Sequence, residues 1–283
     1  MNTAINEQRY QFVLSLYLIR TQYPQMGLFQ PDFIWVTFRK MMASKYNRTD
    51  SDIKKAVNEW YDDPTEAEAM YGHISKWNTS LVTNMEELFK GKRDFNDDIS
   101  KWDVSNVTDI SFMFKDASAF NQDISNWDIS NVRWLHGTFR GASSFNQNLG
   151  SWNVSNVINM DNMFSYAVAF NQNIGSWDVS NVVNMRRLFY FRKKQESYMQ
   201  IEKDFNGTVF NQDISNWNVS NVMDMTNMFY GASSFNQDLG RWNVNNVKTA
   251  YHFVNDKNTQ WKQNKPKFNN LMKFYKVLRY LGC

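Results

Sequence analysis

Tryptophan returns at a fixed interval of 25 residues, at Trp77, Trp102, Trp127, Trp152 and Trp177, and after one interruption again at Trp217 and Trp242. Self-similarity at that period signals a tandem array of one small unit, and it constrains the fold more than any local propensity does. The other columns keep the same phase. A phenylalanine (Phe95, Phe120, Phe145, Phe170, Phe210, Phe235) is always followed by Asn, then by Ile or Leu, Trp, and Val at fixed offsets, as in FNQDISNWDISNV around Trp127. Each unit closes on a Met-rich pair before Phe, clearest in Met160, Met163, Phe164 and in Met225, Met228, Phe229.

The spacing Ile99, Trp102, Val104, Val107 approximates the LxxLxL pattern of leucine-rich repeats, which predicts a short strand with Trp and the second Val on one inward face. After SNV the apolar interval changes to three and four, which predicts a helical or 3₁₀ turn. The GASSFNQ segment at Gly141 to Gln147 then supplies turn chemistry for the return. One such unit cannot bury its apolar face alone, so neighbours must stack, and seven strands about 4.8 Å apart make a rod roughly 30 to 35 Å long.

Stacking sets equivalent residues above one another. The position after Trp alternates between Asp and Asn (Asn78, Asp103, Asp128, Asn153, Asp178, Asn218, Asn243), as does the third position after the repeat Phe. Mixing amides with carboxylates relieves the repulsion of like charges about 5 Å apart. A calcium ladder is the competing reading, but the glycine-dense nonapeptide that builds such sites is missing, so no metal or other cofactor is expected. The Asn after the repeat Phe is invariant within the array, which suits a side chain that hydrogen-bonds turn backbone.

With these residues in view, the FNQDIS, W, DVSNV and MxxMF blocks resemble the bacterial surface protein (BspA-like) type of leucine-rich repeat, found in mycoplasma lipoproteins and in large DNA viruses. The resemblance covers His73 to Val254 and implies a surface or interaction scaffold without catalytic residues. Unlike the lipoprotein members, this chain has no amino-terminal lipid-attachment cysteine. The expected fold is an α/β repeat solenoid, with parallel strands and short helical turns. Residues 1–72 form an α-helical amino-terminal cap, 73–254 the seven units with an insertion at about 190–204, and 255–283 a basic carboxy-terminal helix.

The predicted cap comprises helices over about residues 6–21, from Pro31, from Asp50 to Trp60 and from Pro64 to Gly72. Leu271, Phe274, Tyr275, Leu278 and Leu281 share one face at the other end. The apolar run Phe12 to Ile19 is too short for a membrane span and lacks a small-residue cleavage site, which favours a cytoplasmic or virion-associated protein over a secreted one. A net charge of +3 does not call for nucleic acid as partner, and the single cysteine, Cys283, excludes an internal disulfide framework.

One unit is interrupted. Fifteen extra residues lie between Phe189 and Phe210, and insertions in stacked repeats emerge on one face, often the binding face. The candidate partner-binding set is therefore Arg186, Arg187, Tyr190, Phe191, Arg192, Lys193, Lys194 and Tyr198. His73, His136 and His252 are far apart, and no HExxH, GxSxG, Walker or GxGxxG pattern occurs, so no enzyme is expected. The preferred expectation is a protein-interaction scaffold. The alternatives are a carbohydrate-binding module using the Trp column as a stacking platform and, more weakly, an F-box-like adaptor suggested by LFQPDFIWVTF.

Overall fold

The computed structural model describes residues 11, 14–15, 44–192, 207–254 and 260–268. Helix α1 (Ile53–Asp62) buries Ile53, Ala56, Val57 and Trp60, a helical stripe three and four residues apart. Helix α2 (Pro64–Tyr71) follows at once, with Pro64 in the first turn and the Asp63 carboxylate accepting from the N–H groups of Thr65 and Glu66. These two elements match the expected third and fourth helices. The expected first helix and the one from Pro31 fall outside the described residues, apart from helical Gln11, Leu14 and Ser15, and LFQPDFIWVTF lies outside them too. Strand β1 (Asn47–Thr49) pairs in parallel with β2 (Asn78–Leu81), bringing the helices against the first repeat.

The units stack in register and share one continuous core. The repeat Phe, Trp, Ile/Leu and Val columns are buried throughout. Three aromatic columns run through the interior. Phe89, Phe114, Phe139, Phe164, Phe189 and Phe229 stack at centroid spacings of 5.5 to 5.8 Å. Phe95 through Phe235 form a second column, each ring only 3.8 to 4.3 Å from its partner in the first. The third is indole: Trp177, Trp217 and Trp242 stack at 6.3 Å. Each indole N–H from Trp102 onward also donates to the carbonyl of the preceding unit's Ile or Leu, for example Trp152 to Ile124 at 3.0 Å. A fully buried Trp thus leaves no polar atom unpaired.

The local conformation differs from the expected strand and helical turn. Over Ile99 to Val107 the chain makes two tight turns, Trp102 N–H to Ile99 and Val107 N–H to Val104, and no strand is assigned there among the described residues. Most backbone bonds between units come from the segment that follows SNV. There the N–H groups of Met85, Glu87, Phe89 and Gly91 donate to Asp109, Ser111, Met113 and Lys115 of the next unit, while those of Leu88, Lys90 and Lys92 turn back to Met85, Glu87 and Phe89. Alternate amides therefore serve a parallel ladder, and the remainder close successive three-residue turns. Left-handed residues interleave them, such as Glu87 and Gly91, Phe112 and Asp116, Asn162 and Tyr166, so the chain cannot propagate as a helix. Parallel bridges link Asn84, Asp109, Trp134, Asn159, Asn184, Asp224 and Thr249 in sequence.

The stack is closed at both ends by rings turned edge-on. Trp60 and Tyr71 meet Trp77 at interplanar angles of 81° and 74°. At the far end Trp261 meets Phe229 and Phe235 at 75° and 81°. Gln260 to Phe268 contains no helix. It instead continues the winding as a partial further unit: Lys262 N–H takes the Asn236 side-chain oxygen, and Asn264 carbonyl accepts from Leu239. The predicted helical face from Leu271 to Leu281 lies outside the described residues.

Candidate functional site

Most polar columns are committed to the frame. The side-chain oxygen of each Asn after the repeat Phe accepts the N–H of its counterpart in the next unit, at 2.8 to 2.9 Å from Asn96 through Asn236. Asn171 to Asn211 keeps this contact across the insertion, so the extra residues leave the stack without breaking it. The alternating Asp/Asn positions accept the N–H two residues on, as Asp103 does from Ser105 and Asn153 from Ser155. An amide oxygen performs this task as well as a carboxylate, which explains the alternation. Side-chain and backbone hydrogen bonds from the following serine hold Asp98, Asp123, Asp128 and Asp178 below the usual carboxylate range.

The ladder face, formed by residues 83–91 and their counterparts, is where the units diverge. Except in the third unit and in the last, where Thr249 stands, its bridge column uses Asn or Asp to cap the turn, as Asn159 does by accepting from Asp161 N–H. In the third unit Trp134 stands there instead, 42% exposed. It forgoes the capping oxygen and displays an indole. One column inward His136, Asp161 and Arg186 follow one another in successive units. His136 Nε2 lies 3.4 Å from Asp161 Oδ2, and Asn162 Nδ2 donates to Asp161 Oδ1 at 2.6 Å. Burial pushes the Asp161 carboxyl up against the opposing pull of His136, Arg186 and Arg187.

Beside them Arg187 lies 5.2 Å over the Tyr190 ring, which packs edge-on against Tyr166 and tilted against Tyr230. Burial, then the neighbouring Tyr190, push the Tyr166 phenol up to about 12. On the other flank, Ile158, Val183 and Met223 occupy one column in consecutive units where Thr83, Thr108 and Lys248 stand nearer the ends. Met223 is 42% exposed.

The predicted binding set divides. Arg186, Arg187 and Tyr190 share the ladder face, half-exposed, and Arg192 is exposed beside them. Phe191 is a correction: it is buried against Tyr166 and Val168, and its N–H donates to Tyr230. Residue Phe191 still belongs to the winding, so it is unavailable to a partner. Lys193, Lys194 and Tyr198 lie outside the described residues. The Trp column does not form a carbohydrate platform, because its indoles are 3 to 5% exposed and point inward. Sequence reading missed Trp134, Arg140, Asp161 and Met223, and found no carboxylate for His136. The signal was present: these residues occupy columns that vary from unit to unit, and a 25-residue offset places His136 beside Asp161.

Stacked units, a shared interior and one divergent face define a repeat protein. Residues 56–167, 127–200 and 193–276 match the family described as Mycoplasma protein of unknown function, DUF285, and the chain belongs to that repeat family. No curated protein and no solved structure matches it. Among the described residues, no helix is long and apolar enough to cross a membrane.

Proposed function

We propose that the chain is a noncatalytic scaffold of leucine-rich-repeat type, a capped solenoid that recognises a protein partner through its ladder face. One observation carries this reading: residues that abandon the unit's own structural rule gather on that face in the central units. Trp134 replaces a capping Asx, and Ile158, Val183 and Met223 replace polar residues. An exposed aromatic and aliphatic group beside arginine has the composition of a recognition surface. The resemblance to repeats of mycoplasma surface proteins and large DNA viruses supports a setting on a cell or particle surface.

The test is capture by the full chain against a Trp134→Glu, Met223→Glu variant. Both side chains are exposed, so the variant should fold with an unchanged unfolding midpoint and far-ultraviolet circular dichroism and lose the captured partner. Equal capture by both chains would remove the ladder face from the reading.

A further inference from the structure

The ladder face is a palindrome in charge and polarity. Two columns of exposed or half-exposed side chains run along it, the bridge column and the one just before it. In the fourth and fifth units they hold Ile158 with Asn159 and Val183 with Asn184. One step outward, the third unit sets Arg133 and Trp134 where the sixth sets Met223 and Asp224. A further step out, the second sets Thr108 and Asp109 where the seventh sets Lys248 and Thr249. Each cation of these columns on one side of the midpoint thus answers a carboxylate on the other, around an aliphatic centre. The unit's own frame does not impose this order, because the bridge column caps its turn with Asn as well as with Asp. Two columns beyond the bridge, Asp161 of the fourth unit answers Arg186 of the fifth, with Asp161 largely buried and acting by its field rather than by contact.

We propose, resting on the protein-recognition reading above, that the occupant of this face is a second copy of the chain, in an antiparallel dimer whose two-fold axis crosses the stack between the fourth and fifth units. An axis lying in the interface across the stack sets each column against itself and reverses the order of the units. Ile158 then meets Val183 of the second copy, and Trp134, 42% exposed, meets the equally exposed Met223 thioether, a favourable contact of sulfur with an aromatic ring. Arg133 and Lys248 reach Asp224 and Asp109 across the interface. Asp161 and Arg186 with their counterparts make a square of alternating sign at the axis.

The charges select this register over its neighbours, since like charges brought face to face are repelled. An axis through the fourth unit would set Asp161 against itself and His136 against Arg186. Moved through the fifth, it would set Arg186 against itself and Arg133 against Lys248. A shift by a whole unit either way lays Ile158 against Arg133 or Lys248. The face is roughly 25 to 30 Å long and a few residues wide, at the small end of specific interfaces, so the dimer should have an affinity on the order of micromolar.

Sedimentation equilibrium of the full chain from about 1 to 300 μM should show reversible dimerisation. Arg133→Glu with Lys248→Glu, both exposed, should weaken it at least about tenfold. Lys101→Glu with Arg241→Glu, an equal charge change at exposed sites elsewhere, should leave it unaltered. Cross-linking reads the register. In a Cys283→Ser background, the two copies of Thr108→Cys lie five units apart in the dimer, roughly 24 Å, as do those of Lys248→Cys. Neither chain alone should form a disulfide-linked dimer, and an equal mixture of the two should.

Three outcomes overturn the proposal: a monomer at every concentration, undiminished association in the Arg133, Lys248 variant with its unfolding midpoint retained, or no more cross-linking in the mixture than in the single-cysteine chains. If the chain stays monomeric while Trp134→Glu, Met223→Glu still abolishes partner capture, the ladder face remains a recognition surface and only the second copy is wrong.

Discussion

Gly137 has φ of +59°, and a Cβ built there would lie 2.5 Å from the Phe112 ring of the preceding unit. Phe112 itself adopts φ of +56°, a conformation that disfavours a bulky side chain. The ring occupies the space that glycine leaves. Gly137→Ala should therefore destabilise the protein by about 2 kcal/mol, from strain at positive φ and from overpacking. In combination with Phe112→Ala the loss should be clearly less than the sum of the two, as a double-mutant cycle in urea will measure. Additive losses would show that the ring and the glycine do not interact.

Asp161 permits a second test at this scale. Its carboxyl is raised by burial, so the folded protein binds that proton more readily than the unfolded chain. The resulting penalty is absent below the ordinary aspartate value of about 3.9 and grows as pH rises through the folded value. Asp161→Asn should raise the unfolding midpoint at neutral pH, with a gain that shrinks towards zero below about pH 4. Asn can still accept the hydrogen bond from Asn162. A gain that persisted unchanged in acid would assign the effect to something other than ionisation.

The insertion belongs to the element scale. Tyr190 carbonyl accepts from Tyr166 N–H, and Phe191 is buried with its N–H bonded to Tyr230, so both are integral to their unit. Deleting 192–206 removes fifteen residues and restores the 25-residue interval. That variant should keep its unfolding midpoint within a few degrees. Deleting 190–204, equally long, puts Asn206 where the buried Phe191 ring stood and should lower the midpoint sharply. Similar midpoints would mean that the unit does not include Phe191. The contrast also shows what periodicity could reveal. Column identity located the core, the Asn ladder and the extra length. It could not locate the border of the insertion, because Tyr190 and Phe191 do not resemble Ser165 and Tyr166 closely enough to be aligned by eye.

The helical expectation after SNV failed for a related reason. Apolar spacing of three and four fits successive tight turns as well as it fits a helix, and the left-handed positions that distinguish them carry Glu87, Phe112, Asn162 and Arg187 rather than glycine in most units. Charge and aromatic clustering on the ladder face was hidden because its members are 25 residues or more apart. It becomes visible only when the units are laid over one another.

For the whole molecule, stability resides in contacts between neighbouring units, so an open end is where unfolding begins. Trp261 closes one end. Its ring covers Phe229, Phe235 and Phe253, its N–H donates to Gln237 carbonyl, and it is 3% exposed. The same edge-on arrangement of Trp60 and Tyr71 on Trp77 closes the other. Trp261→Ala removes a large buried side chain, a change that costs roughly 3 to 5 kcal/mol in a packed core. Because each unit touches only its neighbours, the loss should be local. Hydrogen exchange should accelerate in the last complete unit, around Phe229 to Val247, while Trp77 to Phe139 retains its protection. Trp60→Ala should produce the mirror image, with early exchange from Trp77 to Phe95. A uniform rise along the array in either variant would indicate one all-or-none core and would contradict the nearest-neighbour account of how these units hold together.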